Sequence, residues 1–132
     1  MRSKELMARI LVIDDEPAIC RLLERRLSTS HEVATASNGN EALLLLAKGE
    51  RFDVVFCDLQ MPGLSGADLH ARVAVLDREL SQRFIFMTGA LGDFAGRVEL
   101  ARLPNRVLLK PFAHSDVLKA ITELSASPPS NR

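Results

Sequence analysis

The chain has 132 residues, enough for one domain that buries a hydrophobic core. Lys plus Arg and Asp plus Glu both number 17, so no overall charge attracts the chain to nucleic acid or to an anionic membrane, and neither partner is predicted. The sequence has no apolar run near the roughly 20 residues of a membrane span. The N-terminus also lacks the apolar core of a secretion signal, so a cytoplasmic protein is expected.

Short apolar runs alternate with amphipathic stretches five times along the chain. The predicted strands are Arg9–Ile13, His31–Ala36, Phe52–Cys57, Phe84–Met87 and Arg106–Leu109. The predicted helices are Pro17–Ser28, Asn40–Lys48, Ala67–Leu80, Asp93–Leu103 and Ser115–Ser125. In the third helix, the spacing of Leu69, Val73 and Leu76 predicts that all three side chains face inward.

Turn residues and composition predict the boundaries between segments. Asn38 and Gly39 are typical of a turn, and Gly49 is typical of the residue that ends a helix. Three segments are predicted: an N-terminal extension at 1–8, a single domain at 9–125, and a disordered Ser/Pro-rich tail at 126–132.

The alternation of strands and helices predicts an α/β fold with a parallel sheet covered by helices on both faces. Ligands of such sheets bind at the carboxyl ends of the strands. Polar side chains follow four of the predicted strands at that edge: Asp14, Asp15, Asp58, Thr88 and Lys110. We therefore expect three carboxylates, one hydroxyl and one ammonium group to converge there.

This set of groups indicates phosphoryl chemistry. Three carboxylates in one cleft repel one another without a counter-charge, and Mg²⁺ prefers carboxylate and phosphate oxygens. Asp14, Asp15 and Asp58 are therefore predicted to bind Mg²⁺, with Mn²⁺ as a substitute ion. With Lys110 and the Thr88 hydroxyl nearby, a carboxylate can attack phosphorus and carry the resulting acyl phosphate.

Each of these residues also has an ordinary structural interpretation. Asp58 fits a helix cap or a loop, and Asp14 or Asp15 would cap the helix that follows them. Thr88 fits a hydroxyl at a strand end, and Lys110 fits a solvated surface lysine. The adjacent pair after a buried strand favours the metal site, because a fold gains nothing from two neighbouring like charges.

Four motifs occur in order: ILVIDDEP, DVVFCDLQMPGLSG, FMTGA and LLKPF. Over a stretch from about Arg9 to Leu124, they closely resemble the receiver domain of two-component response regulators. The resemblance implies a flavodoxin-like, doubly wound, five-stranded parallel sheet in the order 2-1-3-4-5 with five helices.

The resemblance also implies a role for each site residue. It makes Asp58 the phosphoacceptor, Asp15 a direct metal ligand, Asp14 a ligand usually acting through water, Gln60 a ligand through its backbone carbonyl, Thr88 the switch hydroxyl, and Lys110 the lysine that pairs with the phosphate. It further implies a cis peptide bond before Pro111. The chain departs from the family at Val107, where an aromatic residue is common, and Ala90 offers no polar group to guide water.

By resemblance, the chain accepts a phosphoryl group from a histidine kinase or phosphotransfer protein and signals to an unknown downstream protein. It is a phosphoryl acceptor and not an enzyme, and it is a monomer or a weak homodimer. At this length we expect no output domain, so the chain is either a single-domain regulator or a receiver excised from a hybrid sensor kinase. Two alternatives stay open, namely a phosphorylation-independent interaction module and a metal-dependent phosphatase or phosphotransferase.

Overall fold

A computed structural model describes residues 7–89 and 103–126 of the protein. The strands are β1 Arg9–Ile13, β2 Glu32–Ala36, β3 Val54–Asp58, β4 Phe84–Thr88 and β5 Val107–Leu109. They form one parallel sheet in the order β2-β1-β3-β4-β5, which confirms the predicted fold. In this register Ile13 lies opposite both Ala36 and Cys57, so the carboxyl ends of the strands meet at one edge of the sheet.

Five helices occur within the described residues. They are α1 Pro17–Leu27, α2 Gly39–Ala47, α3 Gly66–Leu76, α4 Arg78–Ser81 and α5 His114–Ala126. Apart from Leu103, the predicted helix Asp93–Leu103 lies outside the described residues, as do 1–6 of the extension and 127–132 of the tail. Within the two described ranges, every helix is too short or too polar to cross a membrane.

The sheet separates two hydrophobic clusters, because successive strand residues point to opposite faces. One cluster contains Ile10, Val12, Val54 and Phe56 from the strands, with Leu23 and Leu27 from α1 and Val117 and Ile121 from α5. The other contains Leu11, Ile13, Val55 and Phe86, with Ala42 from α2 and Leu69 and Val73 from α3. Every residue of β3 and β4 is buried, which explains their continuous apolar runs.

The single helix predicted over Ala67–Leu80 is wrong, because the structure divides this stretch into α3 and α4. Asp77 has an extended backbone (φ −153°, ψ 90°), and its side chain accepts a hydrogen bond from the Leu80 N–H at 3.1 Å. Asp77 therefore ends α3 and caps the first turn of α4. As a result Leu80 is buried, whereas Leu76, which was predicted to face inward, is 73% exposed.

The start of α2 also differs from the prediction. Asn38 is the N-cap and accepts a hydrogen bond from the Glu41 N–H at 2.8 Å, so Gly39 is the first residue of the helix and not part of a free turn. At the other end, Gly49 follows the C-cap Lys48 with φ of +91°, which confirms its predicted role in ending the helix.

Candidate functional site

Three carboxylates lie together at the carboxyl edge of the sheet. Asp14 follows β1 directly, Asp15 comes next, and Asp58 is the last residue of β3. One carboxylate oxygen from each residue lies within 4.8 Å of the other two. The structure thus brings together all three of the carboxylates that were predicted to bind metal.

The two strand-end carboxylates are buried and held by backbone groups. Asp14 is 1% exposed and Asp58 is 4% exposed, whereas Asp15 faces solvent. Asp14 Oδ1 accepts a hydrogen bond from the Glu16 N–H at 2.9 Å. Asp58 Oδ1 accepts a longer one from the Gln60 N–H at 3.4 Å, so the Gln60 backbone lies beside the predicted acceptor.

Lys110 supplies the positive charge at this site. Its Nζ lies 2.9 Å from Asp14 Oδ2, 2.9 Å from Glu16 Oε1 and 3.6 Å from Asp58 Oδ1. The Lys110 side chain is only 16% exposed. The ordinary interpretation of Lys110 as a solvated surface lysine is therefore wrong.

Burial and like charge act on the proton affinity of Asp58. Its pKa is raised to about 7, first by burial and then by the Asp14 carboxylate, against the opposing effect of Lys110. Burial alone would lower the pKa of Lys110, but its contacts with Glu16 and Asp14 and the negative charge on Asp58 outweigh burial and raise it. Lys110 thus remains charged at neutral pH, and one ammonium group does not offset the carboxylates around it.

Thr88 is the last residue of β4, and Lys110 directly follows the neighbouring strand β5. The Thr88 side chain is buried within the sheet edge, and the Thr88 carbonyl accepts a hydrogen bond from the Lys110 N–H at 2.8 Å. This bond continues the pairing of β4 with β5, in which Thr88 lies opposite Leu109. The predicted switch hydroxyl and the predicted lysine therefore occupy neighbouring strand ends.

The loop after β3 returns to α3 through a close backbone contact at Gly66. The Gly66 N–H donates a hydrogen bond to the Leu59 carbonyl at 3.0 Å. A Cβ at this position would lie 2.2 Å from the Asp58 carbonyl oxygen and 2.8 Å from Leu59 Cα. Only glycine fits here without a backbone shift, so residue 66 helps to fix the position of Asp58.

The sequence analysis missed Glu16, whose carboxylate contacts Lys110. Glu16 is the N-cap of α1, with an extended backbone and no side-chain capping bond. The interpretation of Asp14 or Asp15 as the helix cap is therefore wrong. One signal was available in the sequence, because a third acidic residue follows the adjacent pair directly.

The remaining predictions concern residues beside the site. The Lys110–Pro111 peptide bond is cis, as the resemblance implied. Val107 is half-buried and lies opposite Phe86 in the sheet, where the family often has an aromatic residue. Ala90 lies outside the described residues.

The three clustered residues fit a hard divalent cation. All of the clustered ligand atoms are carboxylate oxygens, which are the ligands that Mg²⁺ prefers. Burial and then the Asp14 carboxylate raise the pKa of Asp58, and a bound cation would offset the negative charge of the ionised pocket. Asp14, Asp15 and Asp58 are thus suited to hold Mg²⁺.

Comparison with curated proteins gives relatives that are similar to this chain in sequence. The chain is 37% identical over 115 residues to "Probable transcriptional regulator ycf27" of Guillardia theta, which covers 86% of this chain and 43% of that protein. The chain spans about half the length of the curated relatives it matches. The prediction of no nucleic-acid partner stays a prediction, because relatives of about twice this length are named transcriptional regulators.

Solved structures of response regulators superpose on most of this chain. The response regulator TrrA of Thermotoga maritima, solved in complex with Mg(2+)-BeF, superposes with a TM-score of 0.74 at 28% identity, covering 88% of this chain and 97% of TrrA. The Vibrio cholerae chemotaxis protein CheY4 gives a TM-score of 0.76 at 27% identity, covering 89% and 98%. The sequence model described as "Response regulator receiver domain" matches residues 10–122. The chain therefore belongs to the response regulator receiver domain family of two-component systems.

Proposed function

We propose that this receiver domain accepts a phosphoryl group on Asp58 from the phosphohistidine of a histidine kinase or phosphotransfer protein in the cytoplasm. The phosphorylated form then adopts a second conformation that signals to a downstream protein. Asp14, Asp15, Asp58 and the backbone carbonyl of Gln60 would hold Mg²⁺. The observation that carries the proposal is the buried Asp58 carboxylate, which lies 3.6 Å from the Lys110 ammonium and beside two further carboxylates.

Asp58 is suited to act as the nucleophile. Its side chain lies at the open edge of the sheet, yet the β3 backbone and the Gln60 N–H hold it in one place. In the transfer step, an Asp58 carboxylate oxygen bonds to phosphorus as the bond from phosphorus to the donor's nitrogen breaks. The electron pair of that bond stays on the donor imidazole, and Asp58 carries an acyl phosphate.

Lys110 and Thr88 are the groups that would contact the transferred phosphoryl oxygens. Lys110 already lies near Asp58 with its charge fixed, so little reorganisation precedes the transfer. Thr88 ends the adjacent strand and would donate its hydroxyl to a phosphoryl oxygen. When bound, Mg²⁺ supplies positive charge that offsets the carboxylates and the phosphoryl oxygens.

The conformational response must differ from one that uses an aromatic side chain at position 107. Val107 is small and stiff about χ1, so it has no large ring to move inward when Thr88 moves. We propose that Thr88 and Gly89 respond to the phosphoryl group as part of a two-state element whose populations shift. Curated relatives such as ycf27 of Guillardia theta and ResD of Bacillus subtilis are named as transcriptional regulators, so control of transcription through a partner or a further segment is the output that we propose.

The proposal is tested by intact-protein mass after incubation with acetyl phosphate, with Mg²⁺ or with EDTA. We expect one phosphoryl group on the wild-type chain with Mg²⁺, almost none with EDTA, and none on Asp58→Asn. Because some acceptors take phosphate only from a protein donor, phosphorylated histidine kinase domains form the second arm. Failure of both donors, or an equal adduct on Asp58→Asn, would reject the proposal and favour an interaction module that works without phosphorylation.

A further inference from the structure

The Lys110 ammonium is held by two carboxylates at equal distance. Asp14 Oδ2 and Glu16 Oε1 each lie 2.9 Å from Lys110 Nζ, closer than Asp58 Oδ1 at 3.6 Å. An ammonium group has three N–H donors. Lys110 donates a hydrogen bond to Glu16, whereas its contact with Asp14 Oδ2 is an ion pair without hydrogen-bond geometry.

The backbone of Glu16 is held in place although its side chain is 60% exposed. Its N–H donates to Asp14 Oδ1 at 2.9 Å, and its carbonyl accepts the first helical hydrogen bond of α1, from the Ile19 N–H at 3.1 Å. Glu16 makes no side-chain capping bond, so its carboxylate is available to Lys110. The Glu16 carboxylate therefore contacts Lys110 from a residue whose backbone is fixed at the start of α1.

We infer that Glu16 is a positioning residue for Lys110 in the phosphoryl transfer. The ion pair with Asp14 attracts the ammonium group but leaves it free to rotate, whereas the hydrogen bond to Glu16 limits the directions that its other N–H groups take. The inference rests on the proposed function, because the direction of these N–H groups matters only if a phosphoryl group arrives at Asp58. Glu16 itself need not contact that group.

The charge of Glu16 has an effect on the transfer rate that opposes its positioning of Lys110. The two effects can therefore be separated by experiment. The carboxylate adds negative charge beside an acceptor for an anionic donor, so its charge alone slows transfer. Removing the carboxylate therefore speeds the reaction if charge is all that matters. Removing its hydrogen-bond acceptor slows the reaction if Glu16 positions Lys110.

Glu16→Gln and Glu16→Ala separate these contributions because both are neutral at this position. Glutamine keeps the length and an oxygen acceptor for Lys110, whereas alanine keeps neither. Glu79 is exposed in α4, before the amino end of β4 and hence at the opposite edge of the sheet. Glu79→Gln and Glu79→Ala are the controls for the same loss of charge.

The measurement is the rate of phosphorylation at saturating acetyl phosphate and Mg²⁺, followed by intact mass. In this reaction an Asp58 oxygen bonds to phosphorus as the bond from phosphorus to the acetyl oxygen breaks, and acetate leaves with the electron pair. We expect Glu16→Ala to be about fivefold slower than Glu16→Gln, which has lost the same charge, as for loss of one partly exposed orienting contact. The Mg²⁺ affinity, measured by calorimetry, should be the same for Glu16→Gln and Glu16→Ala.

Two results would overturn the inference. If Glu16→Ala and Glu16→Gln react at the same rate, whether or not that rate differs from wild type, only the charge of Glu16 matters. If alanine is slower only because its Mg²⁺ affinity has fallen, Glu16 serves the metal and not Lys110. Failure of the wild-type chain itself to accept phosphate from any donor would instead reject the proposed function.

Discussion

Asp58→Asn is expected to stabilise the Mg²⁺-free protein by about 2–4 kcal/mol at pH 8, because it removes a buried charge that its surroundings disfavour. The pKa of Asp58 is raised to about 7 by burial and by Asp14, whereas an unfolded chain has an ordinary carboxyl pKa near 4. Asparagine keeps an oxygen that can accept the Gln60 N–H, so the substitution changes the charge and little else.

The gain in stability should depend on pH with a defined sign. Below about pH 3, Asp58 is protonated in both folded and unfolded chains, so its charge does not affect stability. As pH rises from about 4 to about 7, the unfolded chain ionises freely and the folded chain does not, so wild type loses stability relative to Asp58→Asn. Above about pH 7 both states are ionised, and the difference stays constant.

Urea denaturation in EDTA at pH 4.5, 6 and 8 measures this difference. Circular dichroism is the appropriate probe, since the chain has neither Trp nor Tyr. Adding Mg²⁺ should reduce the difference in free energy of unfolding between the two proteins, because the cation stabilises the folded wild type and binds the variant less well. Glu79→Gln is the control and should change stability by less than about 0.5 kcal/mol at every pH. A gap that does not change between pH 4.5 and 8 would contradict the charged, desolvated state assigned to Asp58.

Gly66→Ala is expected to destabilise the fold by about 2–3 kcal/mol and also to impair the site. The added methyl group would lie 2.2 Å from the Asp58 carbonyl oxygen, and that neighbour is backbone that cannot rotate away. Relief requires α3 or the end of β3 to move. Denaturation measures the stability, and the initial rate of acetyl phosphate labelling measures the loss of site geometry.

Gly89→Ala is the matched control for this change. A Cβ at Gly89 would meet the Lys110 side chain at 3.8 Å, an ordinary van der Waals distance. Its stability should therefore stay within about 1 kcal/mol of wild type, since alanine also reduces the entropy of the unfolded chain. Equal stability of the two alanine variants would show that the backbone contact at residue 66 does not constrain Asp58.

Most of the fold was predictable because each central strand is a short apolar run, which is typical of a parallel sheet covered by helices on both faces. The break between α3 and α4 was not, since the apolar spacing continues through Leu76 to Leu80 and masks the change of direction. That break depends on the extended backbone of Asp77 and its side-chain contact with the Leu80 N–H. An aspartate inside an amphipathic stretch is compatible with one continuous helix and also with a break between two helices.

The carboxylates of the site were predictable because the ends of parallel strands meet at one edge. The distances among them and the raised pKa of Asp58 depend on burial, which sequence spacing does not give. Glu16 was missed because its partner Lys110 lies 94 positions away, and the contact depends on where one long side chain lies. The sequence shows that Glu16 follows Asp15 directly, but it does not show that Glu16 contacts Lys110.

The central claim is that the carboxylate pocket and Lys110 are built to hold a phosphoryl group on Asp58 with Mg²⁺. Beryllium fluoride mimics such a group and needs neither a kinase nor a reactive donor, so ¹⁹F NMR of the chain with beryllium fluoride is the most direct test. We predict bound fluorine signals for wild type with Mg²⁺, and their absence with EDTA and in Asp58→Asn. Equal signals with and without Mg²⁺, or in both wild type and Asp58→Asn, would contradict the claim, as would none in wild type at saturating Mg²⁺.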